Sequence, residues 1–143
     1  MVGFLIAVIS GALMSVQGVF NTGVTKSSSI WVASAFVQLS ALIVCLFAWL
    51  FTDRTSFVTL TRVEPKYMLL GGVIGAFITY TVIRSMEMLG PARAVMLIVT
   101  AQLLAAYMIE LFGIFGVEKQ PFSFRRMIGM AAAIVGIVVF KWE

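Results

Sequence analysis

The chain has 143 residues, of which 62% are hydrophobic and 11% charged, and its mean hydropathy is +1.09. Soluble domains carry about a quarter charged residues, so this composition excludes a soluble globular surface and makes the bilayer the solvent for most side chains. The net charge of +4 fits the basic loops of a membrane protein better than a nucleic-acid interface. Because histidine is absent, neither a metal site nor a cofactor is expected.

Five apolar segments follow one another and predict an all-α integral membrane protein, a five-helix bundle forming one transmembrane domain over residues 1–143. The first segment has no basic residues before it, so we expect a membrane span there rather than a removed signal peptide. Gly90-Pro91 separates the third span from the fourth, and Pro91 is well placed to open the fourth helix. The predicted spans are residues 2–24, 30–52, 67–89, 91–113 and 126–140.

The lysines and arginines of the loops predict the orientation of the chain. Six fall on the side of the N-terminus and four on the other side, which favours a cytoplasmic N-terminus by a small margin. A weak bias is expected for a chain that inserts both ways, and a single orientation with a modest bias is equally compatible. The two sets are Arg54, Arg62, Lys66, Lys119, Arg125 and Arg126, and Lys26, Arg84, Arg93 and Lys141.

Two acidic residues fall within or beside the spans, where placing a charge in hydrocarbon is energetically costly. Glu87 follows Arg84 by three residues, a spacing that favours an ion pair on one helix. Glu110 lies about one turn before the end of the fourth span and has no basic residue within one turn in the sequence. Desolvation disfavours a charged carboxylate there, which suits a proton carrier or a cation ligand. The alternative is a carboxylate that reaches the water at the headgroups.

Uncharged amides also lie within the apolar segments. Gln17 and Asn21 are four residues apart and share one face of the first span, while Gln38 and Gln102 lie in the second and fourth spans. Such amides form hydrogen bonds between helices or line a substrate cavity, and the two roles are compatible. We take Gln17, Asn21 and Gln102, together with Glu110, as the candidate residues that bind substrate or protons.

Small residues mark two faces where helices can approach closely. They predict packing inside the bundle or, less strongly, dimerisation. One face lies on the third span and the other on the fifth, and their members are Gly71, Gly75 and Thr79, and Gly129, Ala132, Ala133 and Gly136.

Residues 88–140 resemble the second part of a drug/metabolite transporter unit, in particular the YdcZ-type inner-membrane exporters. The matching features are Gly90-Pro91, Gln102, the run Glu110-Leu111-Phe112-Gly113, Lys119-Gln120-Pro121, and Arg126 with Gly129. In the first span, Gln17 and Asn21 match the Gln-x-x-x-Asn pattern of the family. The family usually has aspartate where this chain has Glu110, and glycine where it has Ala101.

The resemblance implies a bacterial inner-membrane protein equal to half of a ten-helix transporter. Such a half would act as a homodimer, or as a heterodimer with a paralogue, and ideally as an antiparallel one. With a rise of about 1.5 Å per residue, Asn21 lies roughly 12 Å from the membrane centre toward one face, and Glu110 about 10 Å toward the other. Inverting a partner brings its Asn21 level with Glu110, and we hypothesise that the dimer cavity pairs them.

The expected function is proton-coupled export of a small metabolite or organic cation by alternating access, with Glu110 releasing its proton when substrate binds. Phe77, Tyr80 and Tyr107 are candidates for contacts with a cation, although packing is their more common role. The alternatives are a channel or passive pore, and a non-transporting subunit of a heteromeric complex. An enzyme is not expected, because the sequence has no pattern that pairs a nucleophile with a base.

Overall fold

The computed structural model describes residues 1–141, and within them it holds five α-helices and no strand. Short 3-10 segments cover Phe57–Arg62, Lys66–Leu70 and Ile114–Gly116. The α-helices are α1 (Val2–Lys26), α2 (Ile30–Thr52), α3 (Gly71–Leu89), α4 (Pro91–Phe112) and α5 (Phe124–Lys141). The prediction of an all-helical membrane protein is confirmed. The start of α3 differs from the expected Tyr67, because the chain after Pro65 first forms a 3-10 segment, a frequent feature of helix N-termini.

The helix ends follow from a few residues. Ser29 caps α2, since its hydroxyl oxygen accepts a hydrogen bond from the backbone N–H of Val32 at 3.2 Å. Gly90, with φ of 79°, separates α3 from α4, and Pro91 occupies the first turn of α4, where its missing N–H costs nothing. Gly113 ends α4 in the left-handed conformation, with φ of 66°.

Four segments of the described chain are long and apolar enough to cross a membrane: Val2–Lys26, Ile30–Thr52, Lys66–Leu89 and Pro91–Phe112. The fifth helix is shorter, at 18 residues, and it carries Arg125, Arg126 and Lys141. Its uncharged stretch, residues 127–140, has 14 residues. At about 1.5 Å per residue that stretch is about 21 Å long, less than the roughly 30 Å of the hydrocarbon core. Five membrane crossings therefore stay a prediction.

The chain contacts divide the protein into two compact units, one comprising Met1–Met88 and the other beginning at Leu89. In the first unit, α1 packs against α2, and the buried apolar side chains are Ala33, Ile83 and Met86. In the second unit, α4 packs against α5. Most other large apolar side chains are exposed on the isolated chain, as expected for helices whose outer surface faces lipid or a partner.

α1 approaches α3 closely at Gly18, the one buried residue of α1. A Cβ atom placed at Gly18 would lie 2.8 Å from Sδ of Met86 on α3 and would also overlap Cε of that side chain. Gly18 belongs to a stripe of small residues on the packed face of α1, whose other members are Ser15, Thr22 and Thr25. Each of these hydroxyl groups donates to the carbonyl four residues earlier, so the stripe is polar in composition but internally satisfied.

Contacts between α2 and α3 complete the first unit. Gln38 Nε2 donates to Thr79 Oγ1 at 3.3 Å, and Thr79 in turn donates to the carbonyl of Gly75 at 3.0 Å. The rings of Trp31 and Tyr80 stack with centroids 4.9 Å apart. Gln38 thus provides a hydrogen bond between helices, as the sequence predicts for amides within its apolar segments.

Candidate functional site

A pocket of about 350 Å³ lies between α4 and α5 in the second unit. Its lining combines an apolar surface with one acid, one base and one tyrosine, the mixture typical of small-molecule sites. The residues are Leu103, Ala106, Tyr107 and Glu110 from α4, and Arg126, Gly129 and Met130 from α5.

Glu110 and Arg126 form an ion pair in this pocket. Oε2 of Glu110 lies 2.7 Å from Nη1 of Arg126, a distance typical of a charge-assisted hydrogen bond. The two side chains are 44% and 49% exposed on the isolated chain, so they are open to whatever fills the pocket. The pair has no net charge, which reduces the cost of placing either ion beside hydrocarbon.

The two charges lie at the helix ends that disfavour them. Glu110 is in the last turn of α4, where the backbone carbonyls carry partial negative charge, and Arg126 is in the first turn of α5, where the N–H groups carry partial positive charge. Each placement costs about 0.3–1 kcal/mol relative to an uncharged residue at an exposed helix end. Their mutual attraction offsets this cost. A pair selected for helix stability alone would have the opposite polarity.

The loop between α4 and α5 fixes the positions of Glu110 and Arg126 relative to each other. The backbone N–H of Gln120 donates to the carbonyl of Glu110 at 2.9 Å, which ties the loop to the end of α4. Ser123 lies before α5, and its hydroxyl accepts from the backbone N–H of Arg126 at 3.4 Å. The N–H of Ser123 donates to Oη of Tyr107 at 3.4 Å. Tyr107, Glu110 and Arg126 are therefore fixed relative to one another through a short segment.

Gly113 is required for this loop geometry. Its φ of 66° is strained for a residue with a side chain, and a Cβ atom there would lie 3.2 Å from Cβ of Lys119 and 3.3 Å from the carbonyl oxygen of Val117. The chain consequently turns back directly after α4, and α5 begins close to the end of α4.

The structure places the four candidate binding residues in different surroundings. Glu110 lines the pocket, whereas Gln102 is exposed on α4 and is not among the lining residues. Gln17 and Asn21 lie on α1 in the first unit, the former exposed and the latter partly buried. Within residues 1–141 the side-chain amides of Gln17, Asn21 and Gln102 make no hydrogen bond. Their role in binding stays a prediction.

The remaining candidate residues separate in a similar way. Of the three aromatic candidates, Tyr107 lines the pocket, Tyr80 stacks on Trp31, and Phe77 is exposed on α3. The expected local pair forms, with Nη1 of Arg84 3.3 Å from Oε2 of Glu87.

The four glycines of the small-residue faces also differ in their surroundings. Gly75 faces Gln38, while a Cβ atom at Gly71, Gly129 or Gly136 would meet nothing within 4 Å. Dimerisation through Gly71, Gly129 and Gly136 stays a prediction.

Sequence reasoning missed Arg126 as the partner of Glu110 and Ser123 as the residue that orients it. The two charges are 16 residues apart and lie on different helices, so helical spacing alone does not pair them. The available signal was positional: both residues lie within about one turn of the same short loop, at the adjoining ends of consecutive helices.

The family comparison agrees with this architecture. The model of the family described as "Putative inner membrane exporter, YdcZ" matches residues 2–139. A search of curated proteins and a search of solved structures find no match. An exporter is a transporter and not an enzyme class, and the apolar helices agree with residence in the inner membrane. The chain therefore belongs to the YdcZ-type exporter family of the drug/metabolite transporter superfamily, over nearly its whole length.

Proposed function

We propose that this chain exports a small metabolite by alternating access, that protons drive the export, and that the α4–α5 pocket is part of the substrate pathway. The observation that carries the proposal is the ion pair of Glu110 and Arg126 in that pocket. The pair is half-exposed, and each partner lies at the helix end that disfavours its charge, so a competing group can replace either partner at low cost.

In this proposal Glu110 alternates between three partners: Arg126, a proton and the substrate. A proton from the outer side binds the carboxylate after substrate has left, and Arg126 then extends its guanidinium to headgroup water. Substrate binding from the cytoplasmic side requires the ionised carboxylate, so the proton is released inward. One proton enters for each substrate that leaves. Tyr107, one turn before Glu110, supplies a hydroxyl group to the same pocket.

We further propose that the working unit is a dimer, preferably antiparallel, of this chain with itself or with a paralogue. The pocket is lined by two helices within the described residues, and alternating access needs a cavity that can be closed toward each side of the membrane in turn. Most large apolar side chains of the isolated chain are uncovered, which leaves surface for a second copy as well as for lipid. In an antiparallel dimer, Asn21 of the partner lies level with Glu110.

Crosslinking tests the arrangement of the dimer. Cys45 is the one native cysteine, so a chain carrying Cys45→Ala provides a cysteine-free background. Two differently tagged chains, one with Asn21→Cys and the other with Glu110→Cys, are expected to crosslink to each other in membranes. Crosslinks that form between two copies of the Asn21→Cys chain, with none between the unlike chains, would indicate a parallel dimer and contradict the proposal.

Five membrane crossings are also part of the proposal. The uncharged stretch of α5 is short, but Arg126 at its start can extend toward the headgroups, and the bilayer can thin locally. Five crossings place the two termini on opposite sides, as an inverted-repeat transporter requires of each half.

The function is tested in proteoliposomes on a solid-supported membrane. The recorded quantity is the current evoked by organic cations, amino acids, sugars and weak acids, each with and without a pH gradient. We expect a saturable current for one substrate class, which is lost in Glu110→Gln and retained in Glu87→Gln. Glu87 is the matched control, because it is also a glutamate paired with an arginine but lies outside the pocket.

The other outcomes decide between the alternatives. A current that never saturates with concentration would indicate a channel or pore. A saturable current that is unchanged in Glu110→Gln would support a transporter whose mechanism does not use Glu110. No current with any compound would contradict transport by this chain alone and favour a subunit of a heteromeric complex.

A further inference from the structure

Resting on the proposed transport function, we propose that the substrate is a small zwitterion with an apolar body, in which an ammonium and a carboxylate group are close neighbours. An α-amino acid with an aliphatic side chain has this chemistry. The pocket offers one carboxylate, one guanidinium and an apolar wall, and this combination carries the inference.

The first argument is charge balance. Glu110 and Arg126 already neutralise each other across 2.7 Å, so the pocket has no net charge to attract a singly charged ligand. A zwitterion exchanges one ion pair for two, because its ammonium binds Glu110 while its carboxylate binds Arg126. The number of unpaired charges stays at zero before and after binding.

Singly charged ligands do not achieve this exchange. A cation that binds Glu110 displaces Arg126 and leaves a guanidinium without a partner beside an apolar wall. An anion that binds Arg126 leaves the carboxylate in the same position. In either case one charge loses its partner, and water compensates for the lost charge-assisted hydrogen bond only in part because the two side chains are about half-exposed. A singly charged ligand therefore gains less on binding than a zwitterion that pairs both charges.

The second argument is the placement of the remaining groups. Oη of Tyr107 accepts a hydrogen bond from the N–H of Ser123, so its own hydrogen can be donated to a ligand oxygen. A substrate carboxylate beside Arg126 would be a suitable acceptor. Leu103, Ala106 and Met130 supply the apolar surface for the rest of the molecule, and Gly129 leaves the α5 side of the pocket without a side chain.

The third argument is size. Ligand pockets range from about 300 to 1,000 Å³, and this one, at about 350 Å³, is at the lower end. A volume at the lower end of the range favours a small metabolite over a large organic cation.

The test compares four probes on one carbon skeleton. They are leucine, which is zwitterionic, leucinamide, which is cationic, N-acetylleucine, which is anionic, and N-acetylleucinamide, which is neutral. Counterflow of each labelled probe is measured in proteoliposomes, with protein-free liposomes as the background. We expect saturable counterflow of leucine that exceeds that of each other probe by about tenfold or more, as for sites that leave polar groups unpaired with the wrong ligand.

Two variants provide a readout that a purely structural pair would not change. In Arg126→Gln the carboxylate of Glu110 has no cationic partner, so the preference is expected to shift from leucine toward leucinamide by about tenfold or more. In Glu110→Gln the guanidinium of Arg126 has no anionic partner, so the preference is expected to shift toward N-acetylleucine. Glu87→Gln is expected to keep the preference for leucine. If the pair served structure only, each pocket variant would lower the counterflow of all probes by the same factor.

The outcomes separate the substrate inference from the function on which it rests. Saturable counterflow of leucinamide or N-acetylleucine, without counterflow of leucine, would overturn the zwitterion and leave the transporter in place. No counterflow of any of the four probes would also overturn the zwitterion, and the pH-gradient currents with the wider panel then decide separately whether the chain is a transporter.

Discussion

Oε2 of Glu110 lies 2.7 Å from Nη1 of Arg126, and the two residues are 16 positions apart, at the adjoining ends of α4 and α5. The helix dipole at each end opposes the charge that is placed there. This polarity has a physical consequence: the ion pair holds two charges where neither would be selected for stability. A site that must release one of its ions during each transport cycle benefits from such an arrangement, because the partners are less tightly held.

The packing of α1 against α3 depends on the absence of a side chain at Gly18. Gly18→Leu gains helix propensity, about 1 kcal/mol, but its side chain would collide with Met86, and overpacking of this kind costs about 1–3 kcal/mol. We expect a lower thermal midpoint in detergent. Combining the substitution with Met86→Ala is expected to restore part of the loss, because the end of Met86 is the obstructing group.

Gly11→Leu is the matched control for this prediction. A Cβ atom at Gly11 would meet nothing within 4 Å, so the gain in helix propensity should remain uncompensated. We expect a thermal midpoint equal to or above that of the unmodified chain. Equal destabilisation by Gly11→Leu and Gly18→Leu would contradict the packing of Gly18 on Met86.

Ser123 links the start of α5 to the pocket. Ser123→Ala removes a helix cap and is expected to lower the free energy of unfolding by about 0.5–1 kcal/mol, the lower part of the usual range, because the hydrogen bond is long at 3.4 Å. Ser123→Thr, which keeps the hydroxyl group, should retain most of the stability. The measurement is thermal unfolding in detergent.

Ser27→Ala is the control for Ser123→Ala, since the side chain of Ser27 makes no hydrogen bond within residues 1–141. We expect its thermal midpoint to match that of the unmodified chain. A loss in Ser123→Ala that Ser123→Thr fails to restore would show that the hydroxyl group is not the stabilising element.

The predictions that succeeded rest on short-range rules or on bulk composition. The membrane helices follow from the length of the apolar segments, and Pro91 marks the start of α4 because its ring is compatible with the first turn of a helix. The pair of Arg84 and Glu87 was predictable, because residues three apart share one face of a helix.

The partner of Glu110 could not be predicted in this way. Its position depends on the path of the loop, which turns at Gly113 and is tied back to α4 by the N–H of Gln120. A helical spacing rule does not extend across such a turn. The loop ends of consecutive antiparallel helices are nevertheless neighbours, so opposite charges one turn from the same short loop are reasonable candidates for a pair.

Small residues illustrate a second limit of the sequence. Stripes on α1, α3 and α5 have similar composition, yet Gly18 on α1 makes the tight contact and Gly71 on α3 faces open space. Which stripe is used inside the chain depends on how the helices are arranged, and one sequence does not determine it. On α5, Gly129 lines the pocket, and a Cβ atom at Gly136 would meet nothing within 4 Å.

Whether α5 crosses the membrane can be tested by cysteine accessibility. In a chain carrying Cys45→Ala, single cysteines are introduced at successive positions from Ala131 to Ile137, which lie beyond the pocket-lining residues of α5 and cover every face of two helical turns. We expect all of them to be protected from a membrane-impermeant maleimide in intact membranes. A helix lying in the interface would instead expose one face, and labelling with a period of three to four residues would contradict the fifth crossing.

The most direct test of the role of the ion pair is a charge exchange, Glu110→Arg combined with Arg126→Glu. The exchange keeps an ion pair in the pocket and turns two unfavourable dipole interactions into two favourable ones, so we expect a higher thermal midpoint than that of the unmodified chain, with a gain of about 1–4 kcal/mol. Each single substitution places like charges together and should destabilise the protein.

The decisive measurement is the substrate-evoked current of the double variant under a pH gradient. If transport requires Glu110 to bind substrate and proton in place of Arg126, the double variant is stable but carries no current. A current equal to that of the unmodified chain would contradict that role and show that the pair only stabilises the packing of α4 against α5.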